Sequence, residues 1–208
     1  MNDWIKPDWP VPLNVHSFFT TKKGGHSQGP YQGLNLATHV NDNPRHVTQN
    51  RSLLRGFLPA EPVWMDQTHS NVCADADTAD NIDLATYTLA ADASFTAQPQ
   101  RVLAVLVADC LPILLYSSDP VRVAVVHAGW RGLAAGVIGA LISAAKGAKW
   151  SAWLGPCIGP CHYIVGDEVK AQFADNLGFV RDPGSQLWSM DLTQIALMQL
   201  EKLNVIQV

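Results

Sequence analysis

A chain of 208 residues, 48% hydrophobic and only 15% charged, can bury roughly 70% of its unfolded surface in one core, and this balance excludes intrinsic disorder. The net charge of −4, with no block of like charges beyond Lys22-Lys23, excludes a phosphate-tracking groove, so no nucleic-acid partner is expected. The uncharged apolar runs at 102–108 and 123–126 are too short to span a bilayer, and residues 1–12 carry Asp3, Lys6 and Asp8 without an apolar h-region. The expectation is therefore a cytoplasmic protein with no membrane partner. Its four cysteines (Cys73, Cys110, Cys157 and Cys161) read as core residues, ligands or nucleophiles rather than a disulfide framework.

In chain order, residues 15–20 read as an extended segment. Residues 21–33, rich in Gly, Lys and Ser, read as a long functional loop. Residues 44–57 have helical spacing: Val47, Leu53, Leu54 and Phe57 fall mostly on one side, Asn43 supplies a cap, and Pro44 takes the first position. Residues 63–65 predict a strand leading into Gln67-Thr68-His69. Residues 74–90 read as an acidic, solvated loop carrying Asp75, Asp77, Asp80 and Asp83.

The strongest β signal is the wholly apolar run 102–108, followed by strands at 113–116 and 121–126. A buried helix is predicted over 133–146, a short strand over 152–154, and helices over 167–176 and 193–202, with Gly178 as C-cap of the first. There is no internal repeat and no regular βαβ alternation. The fold class expected is α+β, a single domain over 1–208 with mixed β-sheets flanked by helices.

Three segments put chemistry at the ends of apolar runs: Gln67-Thr68-His69-Ser70, Ala108-Asp109-Cys110-Leu111-Pro112, and Val126-His127-Ala128-Gly129-Trp130-Arg131-Gly132. In the third, two glycines bracket Trp130 and Arg131 just before a predicted helix. The bend allows close backbone approach, the helix start suits an anion, and Arg131 offers a bidentate fork. The bland alternative is a packed turn with Trp130 in the core. In the second, the Asp109 carboxylate after seven apolar residues must be solvated, paired or catalytic. Asp109 and Cys110 can face one cleft only if the strand has ended or bends there. His69, Cys110 and His127 together make a His₂Cys set, and three protein ligands with one open position is the pattern of catalytic zinc. Gly155-Pro156-Cys157-Ile158-Gly159-Pro160-Cys161-His162 reads first as a rigid turn.

These segments, with Phe19-Thr20, Gly24-Gly25, Gly29-Pro30-Tyr31, Leu34-Asn35-Leu36, His39-Val40 and Asn50-Arg51, resemble the YfiH family. That family is also called the laccase-domain or multicopper polyphenol oxidoreductase family. The resemblance runs from about residue 18 to the end of the chain. It implies a fold like the catalytic domain of cytotoxic necrotizing factor, and one zinc, alternatively copper, on His69, Cys110 and His127.

The activities it implies are phosphorolysis of adenosine, inosine, guanosine and methylthioadenosine, with adenosine deamination. The alternatives are a metal-free Cys-His amidase that edits peptidoglycan precursors, with Cys110 as nucleophile and His127 as base, and a copper-dependent polyphenol oxidase. In the leading reading Asp109 shuttles protons. Lys22, Arg51 and Arg131 bind phosphate, while Asn35 and Gln67 hydrogen-bond the base or ribose. The partners implied are small molecules, a purine nucleoside and phosphate, on a monomer or homodimer. Lys22 and Lys23 stand where the family often has Arg; lysine can still bind phosphate, but without the bidentate fork. Family members usually continue past the point that matches Val208, so this chain is expected to lack the family's C-terminal segment.

Overall fold

In the computed structural model, which describes residues 3–79, 88–146 and 149–207, the α+β chain divides into two compact units, Met1–Pro62 with Gln100–Val102, and Val63–Pro99 with Leu103–Val208. In the first unit the extended segment forms one antiparallel bridge, Ile5 to Phe19. The loop at 21–33 is closed by a second bridge between Ser27 and Gly33. Helix α1 (Pro44–Arg55) begins as predicted: the Asn43 side chain accepts from Arg45 N and Pro44 occupies the first turn.

The buried face of α1 is Val47, Asn50 and Leu54, while Leu53 and Phe57 are exposed. The helix ends before Phe57, whose ring packs edge-on against Trp4 instead. Asn50 is fully buried because its amide serves the loop: Oδ1 accepts from His26 N at 2.7 Å, and Nδ2 donates to Ser27 Oγ at 2.9 Å and Asn35 O at 2.8 Å. A buried amide with its partners supplied is stable, and here it anchors the glycine-rich loop to the helix.

From Pro62 onward the strands are β1 (Pro62–Asp66), β2 (Cys73–Asp75), β3 (Thr88–Ala90), β4 (Ala93–Thr96), β5 (Val102–Leu103), β6 (Leu111–Ser118) and β7 (Val121–Ala128), which but for Pro62 and Val102 belong to the second unit. Helices α2 (Trp130–Ala134) and α3 (Val137–Ala144) follow, then β8 (Trp150–Leu154), β9 (Ile164–Val165), α4 (Asp167–Lys170), β10 (Phe179–Arg181), β11 (Trp188–Met190), α5 (Leu192–Lys202) and β12 (Ile206–Gln207). The main sheet is mixed, in the order β12-β8-β6-β7-β4-β2. At its centre β6 and β7 pair antiparallel over eight residues, with Ile113 opposite Val126 and Leu115 opposite Ala124.

Those four side chains enter a core with Val137, Ile138 and Leu141 of α3 and Ile195 and Leu200 of α5. The opposite face carries Leu114 and Val125 against Val63, Met65 and Leu89. Burial on both faces explains why these strands read as continuous apolar runs rather than as alternation. β1 pairs in parallel with β3, and β9, β10 and β11 form a separate antiparallel sheet. Among the described residues no helix is long and apolar enough to cross a membrane.

The structure corrects four expectations. Of the apolar run 102–108, only Val102–Leu103 is strand. Further along, the Gln67 side chain replaces a ladder partner: Nε2 donates to Leu106 O and Oε1 accepts from Leu106 N, both at 2.8 Å. The predicted helix 133–146 starts earlier, at Trp130, and is broken into α2 and α3 by Gly136 at φ +80°. The predicted helix 167–176 stops at Lys170, so Gly178, at φ +81°, serves a turn before β10 rather than a helix C-cap.

The acidic loop is in part ordered structure: Asp77 accepts from Thr96 Oγ1 and Ala97 N, and Asp75 Oδ1 accepts from Asp77 N. Asp80 and Asp83 lie outside the described residues. A Cβ on Gly136 would meet open space, so Gly136→Ala pays only for the left-handed backbone. We expect a loss of about 1–2 kcal/mol in a denaturant titration.

Candidate metal centre

The β6–β7 register brings two of the predicted site segments together. Leu111 pairs with Ala128 and Pro112 with His127, so Cys110, just before β6, and Gly129, just after β7, meet at one end of the sheet. Residues 108–110 form a bend and β6 begins at Leu111, which meets the condition for Asp109 and Cys110 to serve one cleft. His69 arrives from the turn that follows β1, at a left-handed φ of 61°. The ligand atoms of His69, Cys110 and His127 all lie within 4.8 Å of one another. Cys110 Sγ is 3.9 Å from His69 Nε2, and the two imidazoles stand edge to face with centroids 4.7 Å apart.

Gly129 is required by this convergence. A Cβ there would lie 2.9 Å from His69 Cδ2 and 3.0 Å from Cys110 Sγ. The same glycine caps α2, so Trp130, Arg131 and Gly132 form the helix's first turn rather than a loop ahead of it. Arg131 is exposed and lies over the Trp130 ring, 4.3 Å from its centroid.

Sequence reasoning missed the group that holds the centre together. Asp92, between β3 and β4, is fully buried. Its Oδ1 accepts from His127 Nδ1 at 2.8 Å and His69 N at 2.9 Å. Its Oδ2 accepts from Ser70 N at 2.6 Å, Ser70 Oγ at 2.7 Å and Thr68 N at 3.2 Å. Burial pushes this carboxyl up, but the hydrogen bonds from His127, Ser70 and His69 outweigh it and hold the group below the usual carboxylate range. A signal was available: a lone carboxylate within Leu89-Ala90-Ala91-Asp92-Ala93-Ser94-Phe95 calls for a partner, by the rule applied to Asp109.

Burial, with the neighbouring His69, lowers the His127 pKa against the pull of Asp92, so the ring is neutral at physiological pH. Because its Nδ1 donates to Asp92, its Nε2 carries the lone pair. Burial first, then the Asp109 carboxylate, pushes the Cys110 thiol up to about 12. A thiolate here needs a cation beside it. Two imidazoles and one thiol converging without a resident positive charge fit a metal such as zinc or copper.

The other predicted site residues are distributed as follows. Gln67 belongs to this unit, with its amide engaged on the Leu106 backbone. Lys22, Asn35 and Arg51 belong to the first unit. There Lys22 lines an open cavity with the glycine-rich loop. Asn35 Nδ2 donates to Asp42 at 2.8 Å, and Arg51 Nε donates to Leu36 O at 2.9 Å. The turn at 155–162 docks by Ile158 N to Asp109 O and Gly155 N to Pro112 O. Among the described residues the only three-residue group with metal-holding geometry is His69, Cys110 and His127, so Cys157, Cys161 and His162 do not form a second. Tyr163, which sequence reasoning did not single out, follows that turn. Burial raises its phenol to about 12, with Cys110 and Asp109 adding to the shift and Arg131 opposing it.

Comparison with known proteins places the chain in a family. The family model described as multi-copper polyphenol oxidoreductase laccase matches residues 16–208 and so runs through both units. The purine nucleoside phosphorylase PA4543 of Pseudomonas aeruginosa is 44% identical over 175 residues, covering 83% of this chain and 69% of the relative. The purine nucleoside phosphorylase YfiH of Escherichia coli strain K12 is 39% identical over 220 residues, covering 100% of this chain and 86% of the relative. Among solved structures, Neisseria meningitidis protein NMB0706, of the family model DUF152, is similar at a TM-score of 0.88 and 38% identity, over 99% of this chain and 86% of that one. On the extent of the family-model match and the identity to these relatives, the chain belongs to the multi-copper polyphenol oxidoreductase laccase family, that of the YfiH proteins.

Proposed function

We propose that this protein is a zinc-dependent purine nucleoside phosphorylase. The observation that carries the proposal is the convergence of His69, Cys110 and His127 within 4.8 Å at one end of the sheet. Support comes from relatives at 39–44% identity that are named purine nucleoside phosphorylase. In the reaction an oxygen of inorganic phosphate attacks the anomeric carbon of the ribose, the glycosidic C–N bond breaks, and ribose 1-phosphate and the free base leave. When bound, the metal supplies Lewis acidity at the reacting group.

The chain's own residues do the rest. Asp109, exposed beside the thiol, moves a proton to the departing purine. Arg131, in the first turn of α2, binds phosphate through its guanidinium fork. Gln67 is assigned to the base or ribose, in addition to the backbone contact it already makes. The substrates we propose are adenosine, inosine, guanosine and methylthioadenosine. Adenosine deamination is a companion activity, with water replacing the amino group and Asp109 again carrying the proton.

Two alternatives are weaker. A metal-free hydrolase of the cytotoxic-necrotizing-factor kind needs an activated Cys110, whereas burial and Asp109 drive that thiol to about 12, away from the thiolate. A polyphenol oxidase working through several coppers needs several ligand sets, and one is found among the described residues. Copper on that set remains the alternative metal.

The deciding assay is chromatography of inosine and adenosine incubated with the metal-loaded protein, with and without phosphate. Phosphate-dependent hypoxanthine from inosine is expected, and its absence sinks the phosphorylase reading. Cys110→Ala should lose zinc and reduce phosphorolysis more than about 100-fold, measured together by metal analysis and turnover. Gly129→Ala, which crowds His69 and Cys110, should lower turnover between about 10-fold and 100-fold with the melting temperature nearly unchanged. Because a metal must displace the Cys110 proton, whose pKa is about 12 without it, zinc affinity should rise roughly tenfold per pH unit between about pH 8 and pH 10. Calorimetry in buffers of different ionisation enthalpy would show the released proton.

A further inference from the structure

The chemistry proposed above makes no use of Asp92, although it is fully buried and accepts five hydrogen bonds. Those bonds divide into two jobs. One goes to the side chain of a metal-ligand candidate, His127 Nδ1 at 2.8 Å. An Nδ1 that donates leaves Nε2 without a proton, so the carboxylate decides which ring nitrogen can coordinate. The other four come from the turn that carries His69: the N–H groups of three successive residues, Thr68, His69 and Ser70, with the Ser70 hydroxyl. That turn holds His69 at φ 61°, a backbone conformation that L side chains rarely adopt. Asp92 is tied to both partners by backbone as well: its N donates to Val72 O at 3.0 Å, and its O accepts from His127 N at 2.7 Å.

Resting on the reading of His69, Cys110 and His127 as the metal ligands, we propose that Asp92 is the positioning residue of the centre. One buried carboxylate presents both imidazoles, selecting Nε2 of His127 and fastening the left-handed turn beneath His69, so the ligand set is assembled before a metal arrives. A carboxylate that merely stapled a loop would not control the tautomer of His127, nor would it set affinity for the metal.

Two measurements test this. The first uses wild-type protein stripped of metal and labelled with nitrogen-15 in its imidazoles. Long-range proton–nitrogen correlation should show His127 protonated on Nδ1 and bare on Nε2. Protonation on Nε2, or a mixture of tautomers, overturns the proposal, and this arm stands even where an Asp92 variant fails to fold. The second titrates zinc against a chromogenic chelator in wild type, Asp92→Asn and Ser70→Ala. Asp92→Asn should keep one zinc per chain and bind it about 10-fold to 100-fold more weakly, while Ser70→Ala, which leaves the imidazole–carboxylate bond in place, should lose less than about 10-fold. Zinc held as tightly by Asp92→Asn as by wild type overturns the proposal alone. Wild-type protein that takes up no zinc overturns the metal reading and this proposal with it.

Discussion

The antiparallel pairing of β6 with β7 is the constraint on which the centre depends. Over eight residue pairs it sets Pro112 against His127 and Leu111 against Ala128. The position of Cys110 relative to His127 therefore follows from backbone hydrogen bonds deep in the sheet rather than from any contact at the site. Slipping β6 by one residue would turn Ile113 and Leu115 away from the α3–α5 side of the sheet. The apolar burial that stabilises the fold thus also specifies the geometry of the ligands. A rigid sheet end is a suitable place for such a set, because ligands on regular elements hold their positions better than ligands on loops.

His69 is the exception, since it sits in a turn at φ 61°. The protein compensates with charge-assisted hydrogen bonds. A carboxylate removed from water is costly unless its acceptor sites are filled, and the turn at 68–70 fills them. Desolvation of Asp92 and strain at His69 are thereby solved by one arrangement, which also reaches the second imidazole. Gly129 completes the design by absence: the space a Cβ would need is taken by the His69 ring and the Cys110 sulfur.

Two side-chain amides, Gln67 half-buried and Asn50 fully buried, show the same logic. Gln67 stands in for a strand along the run at 102–108, so a wholly apolar sequence is held without being a ladder strand beyond Val102–Leu103. Asn50 does the same for the glycine-rich loop. Both are single polar residues whose partners are mostly main-chain groups, Ser27 Oγ on Asn50 being the exception. Neither contact is visible in composition or periodicity: the family resemblance gave Gln67 as a contact to base or ribose and Asn50 only as part of the Asn50-Arg51 motif.

Much was legible beforehand. The apolar runs at 113–116 and 121–126 located the central strands, because burial on both faces leaves only apolar side chains acceptable there. Asn43-Pro44 marked the start of α1, since a cap and a fixed φ act locally. The three residues of the candidate ligand set stood out beforehand as His and Cys at the ends of apolar runs, and the structure brings their side chains within 4.8 Å of one another. Decided only by the tertiary structure were the break at Gly136, the replacement of a strand by Gln67, and Asp92 as the common support of both histidines. The reason is physical. Three of the five hydrogen bonds that Asp92 accepts come from backbone N–H groups, which nearly every residue possesses, and the other two, from Ser70 and His127, join segments far apart in the chain, so the arrangement exists only once the chain has folded.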